Sequence, residues 1–154
     1  MPKIDEIYMR EALKEARKAF EKNEVPVGAV IVYEGKVIAR AHNQIKLLKD
    51  PTAHAEMIAI TQAAAYLGNE RLLDTTAYVT IEPCAMCGAA MVLGRVKRLV
   101  FGALDPKTGA FGSVLDLNKI KLNHKIIVTK GVMGDESAAI LKEFFKIKRD
   151  DSKK

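Results

Sequence analysis

The amino-acid sequence predicts an α/β fold: a central five-stranded mixed sheet with helices on both faces. Short apolar runs of strand length alternate with longer segments of helical period, in the order α-β-β-α-β-α-β-β-α. A two-residue turn at Glu34-Gly35 returns the first strand on itself as an antiparallel pair, whereas the strands linked through helices are expected to run parallel. No internal repeat and no long linker divides the 154 residues, so residues 1–154 are expected to form one domain, with 150–154 a frayed tail.

Residues 5–22 carry Met9, Ala12, Leu13, Ala16 and Phe20 at helical spacing, with Asp5 as N-cap. The unbroken apolar run 27–33 reads as a strand buried on both faces, and 36–42 is its partner. A polar loop, 44–52, leads to a helix from Ala53 to Leu67, with Thr52 as N-cap and Gly68-Asn69 as its stop. Residues 76–81 form the third strand. Pro83 suits the first position of a helix that ends at Gly94. Both of these middle helices are apolar nearly all round, which predicts that they are buried. The strand 97–102, a long loop over 103–113, a helical turn at 114–119, the strand 125–130 and a helix over 135–148 complete the chain.

The composition is that of an ordinary globular protein, 49% hydrophobic and 29% charged. No apolar run approaches the roughly 20 residues of a membrane helix, and the N-terminus lacks the apolar core of a signal peptide, so a cytoplasmic protein is expected. The net charge of +6 leans towards polyanionic partners without specifying one.

The chemistry concentrates in two short stretches. Cys84 and Cys87, the chain's two cysteines, are three residues apart at a helix start, where the positive end of the helix dipole favours thiolate. Taken alone they fit a zinc site, a redox pair or two structural cysteines. His54-Ala-Glu56 begins the other apolar helix. A glutamate in the first turn of a buried helix is costly unless it is paired or used. One histidine and two cysteines make three ligands, the pattern of a catalytic zinc with an open fourth position. Zinc lowers the pKa of water from about 16 to about 7. Glu56 is placed to take the proton and return it to a ring nitrogen and then to a leaving amine. Such parts perform hydrolytic deamination. His42 and His124 have no comparable context and read as surface or loop residues.

His-x-Glu followed by Pro-Cys-x-x-Cys resembles the zinc-dependent nucleobase deaminases. The stretches 24–30, 50–56, 78–84 and 100–110, and the ending 136–146, resemble the bacterial tRNA-specific adenosine deaminases, and the likeness covers nearly the whole chain. The resemblance implies a three-layer α-β-α, cytidine-deaminase-like fold. It implies one Zn2+ per subunit on His54, Cys84 and Cys87, and Glu56 as the catalytic proton shuttle. Asn43 would hydrogen-bond the flipped base with help from the Ala55 backbone, and Val27 and Pro83 are further substrate-binding candidates. The implied activity is that of a homodimeric hydrolase with no membrane association. Zinc-activated water attacks C6 of the wobble adenosine in the tRNA anticodon loop and produces inosine. A free-base or nucleoside deaminase of the guanine or cytosine type, which shares Pro-Cys-x-x-Cys, is the alternative. Asp105 and Lys107 in the long loop, and Phe144 and Phe145 in the basic ending, are candidate RNA contacts. Simple turn chemistry is the alternative for Asp105 and Lys107, and without the resemblance a core phenylalanine and a solvated helix end are the preferred reading of the ending.

Overall fold

The computed structural model describes residues 2–153. Its elements are α1 (Pro2–Glu21), β1 (Gly28–Tyr33), β2 (Lys36–His42), α2 (Ile45–Leu48), α3 (Ala55–Leu67), β3 (Thr75–Ile81), α4 (Ala85–Leu93), β4 (Arg98–Ala103), β5 (Ile127–Lys130) and α5 (Gly134–Ser152), with a 3-10 turn at Leu117–Lys119. The strands form one sheet in the order β2-β1-β3-β4-β5. β1 is antiparallel to both its neighbours, and β3, β4 and β5 are parallel. This is the expected mixed sheet. The β1–β2 turn places both Glu34 and Gly35 at positive φ, 49° and 72°, as a two-residue turn matching the strand twist requires.

Alternation along the strands sorts the core into two layers. Val30, Val32, Tyr78 and Val100 face Met9 and Ala12 of α1. Ala29, Ile31, Val79, Leu99 and Phe101 face the opposite way, towards Ala55, Ala59 and Ala63 of α3 and Met91 and Val92 of α4. α5 lies on the α1 side, where Phe144 meets Phe20 edge-to-face at 5.7 Å. α1 can approach β1 closely because position 28 has no side chain: a Cβ there would lie 1.9 Å from the carbonyl oxygen of Ala12.

Several expectations are corrected. Asp5 is not an N-cap. It lies inside α1, where its carboxylate is gripped by both terminal nitrogens of Arg98 at 2.8 and 2.7 Å and by the Tyr78 hydroxyl. Thr52 does not cap α3, because its hydroxyl turns to Asp50 Oδ1, and His54 takes the cap position. Cys84 likewise takes the cap of α4, one residue beyond Pro83. The loop 44–52 contains α2. The final strand starts at Ile127, not 125, and α5 runs through the expected tail to Ser152. His42 is buried, with Nδ1 3.2 Å from Glu15 Oε1. His124 lies in a loop and is half-buried, with Nε2 2.7 Å from the Val96 carbonyl. Finally, α3 and α4 are buried on one side only: Ala65, Tyr66, Ala85, Ala89 and Leu93 are exposed. An apolar outer face does not by itself bury a helix. Another surface must cover it.

Candidate active site

α3 and α4 both start at the same end of the sheet, and their cap residues meet. His54 caps α3 with extended backbone, φ −72° and ψ 150°. Cys84 caps α4 in the same way, at φ −76° and ψ 175°, and Cys87 lies in its first turn. The Nδ1 of His54 is 3.8 Å from Cys84 Sγ and 3.5 Å from Cys87 Sγ. One ligand atom from each of the three residues lies within 4.8 Å of the others. The neighbouring thiol of Cys87 and the His54 ring pull the Cys84 thiol down to about 4. The same proximity to a thiolate, together with burial, pushes the Cys87 thiol up. The pair is thus arranged as a thiolate beside a thiol, and a cation placed between the sulfurs would favour thiolate at both. The donor set, one imidazole and two sulfurs at helix N-termini, fits a soft or borderline divalent metal and leaves a tetrahedral site one ligand short.

Glu56, in the first turn of α3, is 4% exposed, and burial raises its carboxyl to about 7. It makes no ion pair with a lysine or arginine among the described residues. A carboxyl in that condition is divided between acid and base near neutral pH, as a proton carrier must be.

These residues form the floor of a cavity of about 470 Å³, within the range typical of small-molecule sites, roughly 300–1,000 Å³. Val27, Asn43 and Ile45 supply one wall, and Leu104, Asp105, Pro106, Lys107 and Thr108 the other. Leu141 and Phe145 of α5 complete the lining. Asn43 is buried and accepts the Ala55 amide on its Oδ1 at 2.8 Å. It therefore caps α3 from the end of β2, and the Ala55 amide is spent in holding it.

Of the residues expected at the site, His54, Glu56, Cys84, Asn43, Val27, Asp105, Lys107 and Phe145 line the cavity, with Cys87 buried beneath them. Pro83 does not line it. Its carbonyl instead accepts the Ala110 amide and fastens the long loop. Phe144 is corrected as an RNA contact. It is buried against Phe20, because residues one apart on a helix point in different directions and only Phe145 faces outward. Sequence reasoning missed Leu141, which its i, i+4 spacing from Phe145 marks as a neighbour, and Ile45 of the unforeseen α2. It also missed Glu82. Burial pushes the Glu82 carboxyl up, but hydrogen bonds from Ser113 and the amides of Asp105, Phe111 and Ser113 hold it below the usual range.

Comparison with known proteins agrees with this architecture. The model of the MafB19-like deaminase family matches residues 4–149. The tRNA-specific adenosine deaminase of Bacillus subtilis (strain 168) is 49% identical over 150 residues, covering 97% of this chain and 93% of the relative. A solved structure from work on A-to-I editing by tRNA:A34 deaminases at the wobble position superposes with a TM-score of 0.86 at 47% identity, covering 88% of this chain and 99% of the other. The guanine deaminase of Nitrosomonas europaea shares the fold at a TM-score of 0.79 and 24% identity, over 90% of this chain and 83% of its own. Identity of nearly one half along nearly the full length, on a fold whose two capping residues meet at one metal-binding group, makes this chain a member of the tRNA-specific adenosine deaminase family.

Proposed function

We propose that the protein hydrolyses adenosine to inosine at the wobble position of tRNA, with one Zn2+ per subunit on His54, Cys84 and Cys87. The observation that carries the reading is the convergence of those three donors beside a buried Glu56, which makes no ion pair with a lysine or arginine among the described residues, at a base-sized cavity. Bound zinc would supply the Lewis acid that makes water nucleophilic at neutral pH.

The remaining work falls to the chain's own groups. Glu56 takes the proton from the attacking water and delivers it to N1 of the purine as the water oxygen bonds to C6. The same carboxyl then takes the proton of the new C6 hydroxyl and passes it to the exocyclic nitrogen. The C6–N bond breaks, ammonia leaves, and the oxygen stays as the 6-oxo group of inosine. Asn43, with Oδ1 committed to Ala55, offers its amide donors to the base. Val27 and Ile45 give the base an apolar wall.

The target base must leave its stack to reach this floor, at a cost of roughly a few kcal/mol, which contacts with flanking nucleotides offset. Phe145, Lys107, Lys148 and Arg149 line a second concavity directly beside the first, an aromatic platform among cations suited to a single-stranded loop. The protein works as a homodimer in the cytoplasm. The exposed apolar face of α3 and α4 supports the dimer, and among the described residues no helix is long and apolar enough to cross a membrane.

The test is incubation of the purified protein with an anticodon stem-loop carrying adenosine at the wobble position, beside free adenine and guanine. Inosine in the RNA, with binding that weakens as salt rises, is the expected outcome. Ammonia from the free bases with no inosine in the RNA would overturn the reading.

A further inference from the structure

Two buried carboxylates have no part in the chemistry above. Glu82, 1% exposed, lies between β3 and Cys84. Its Oε1 accepts the Asp105 amide at 3.1 Å and the Ser113 hydroxyl. Its Oε2 accepts the amides of Phe111 at 3.0 Å and Ser113 at 3.2 Å. Every donor belongs to the segment 105–113, whose first residues form one wall of the cavity. The segment can close over the carboxylate because position 109 is glycine: a Cβ there would lie 2.3 Å from Glu82 Cδ. Behind the opposite wall Glu24, 2% exposed and outside the cavity lining, accepts the amides of Lys46 at 3.1 Å and Leu47 at 2.9 Å. These belong to α2, which has no side-chain cap at its own start and which brings Ile45 to the cavity. A buried carboxylate needs its full set of donors. Here the donors come from the two segments, the loop 105–113 and α2, that contribute to the cavity lining.

We propose that Glu82 is a positioning residue that holds the substrate-facing loop 105–113 ready against the segment bearing Cys84, with Glu24 the matching anchor of α2. The proposal rests on the tRNA deaminase reading of the site. Glu82 acts through the loop and not on the reacting atoms. A loop that must be ordered by the RNA lowers apparent affinity by the fraction of molecules already in the competent form. The anchor should therefore govern KM and leave kcat nearly alone. Glutamine at position 82 would turn an amide NH2 towards donors that need an acceptor.

The experiment compares wild-type protein with Glu82→Gln and with Ser113→Ala, which removes one of the four donors from a residue outside the cavity lining. It measures KM and kcat on the stem-loop, zinc content, and amide hydrogen exchange over 105–113. A competent fraction reduced to a tenth would raise KM by about tenfold. We expect a change of that order for Glu82→Gln and a smaller rise for Ser113→Ala. Exchange at Asp105 and Phe111 should quicken in both, with kcat and zinc content near wild type. Should Glu82→Gln fail to fold, Ser113→Ala decides. Wild-type KM and exchange in Ser113→Ala, or a loss confined to kcat or to zinc, would overturn the proposal. A wild-type protein that makes no inosine would instead defeat the reading of the site, and the exchange measurement would still judge the anchor.

Discussion

Glu56 shows how much a single position draws from its surroundings. Burial brings its carboxyl to about 7, and no lysine or arginine among the described residues pairs with it. General acid–base groups contribute roughly 10²–10⁴-fold to rate. Replacing Glu56→Ala should therefore lower inosine formation by about that factor while metal analysis finds zinc undiminished, since Glu56 is not a ligand. Asp5 is the opposite case. Its hydrogen bonds to Arg98 lower its pKa, against the effect of burial. The native state therefore binds its proton more weakly than the unfolded chain does. The stability this gives is present above the unfolded value of about 3.9 and is lost as pH falls through the lower, native value. Asp5→Asn should cost about 1–3 kcal/mol at pH 7, the worth of hydrogen bonds to a charged group, and much less at pH 2. Denaturant unfolding at the two pH values measures the difference. Neither environment is legible from residue type: an aspartate five residues from the N-terminus reads as a cap until Arg98, 93 positions away, is seen beside it.

The elements owe their placement to small residues and borrowed caps. α1 touches β1 where Gly28 leaves room for the Ala12 carbonyl, and Gly28 also donates to Thr80 Oγ1 at 3.1 Å. Gly28→Ala would force backbone against backbone. It should destabilise the protein by about 1–3 kcal/mol, the usual cost of overpacking. Thermal unfolding would register this as a lowered Tm, with the zinc site still able to load in the folded fraction. α3 begins at Ala55 because Asn43, twelve residues earlier, accepts its first free amide. Thr52 has the right side chain for a cap and a nearer acceptor in Asp50. Local pattern found every long element, since periodicity is a property of neighbours in sequence. It missed α2 and misplaced caps because those depend on partners distant in sequence.

At the scale of the whole molecule, α3, α4 and the segment between them leave large apolar side chains exposed. Leu93 is 76% exposed, and Tyr66 and Leu73 are more than half exposed. If α3 and α4 meet a second copy of the chain, Leu93→Asp should shift the protein from dimer to monomer in sedimentation experiments. It should cost the folded monomer little, as surface changes usually lie within about 0.5 kcal/mol. The charge of the molecule acts on the same scale. The net +6 spreads over a large surface, but Lys107, Lys148 and Arg149 gather around Phe145 beside the cavity. That clustering, not the total, gives the charge a direction.

Pattern along the chain was enough for the fold class, the order of the long elements, the three candidate metal ligands and the candidate proton carrier. Those depend on periodicity and on the spacing of rare residue types, and a one-dimensional chain carries both. Which helix faces are covered, and which phenylalanine looks outward, emerged from the packing of distant segments. The same holds for the partners of Asp5 and His42, and for the buried carboxylates that hold the two walls of the cavity. These depend on which distant groups arrive within hydrogen-bonding or packing distance. A buried glutamate surrounded by backbone donors looks, in sequence, like any other glutamate.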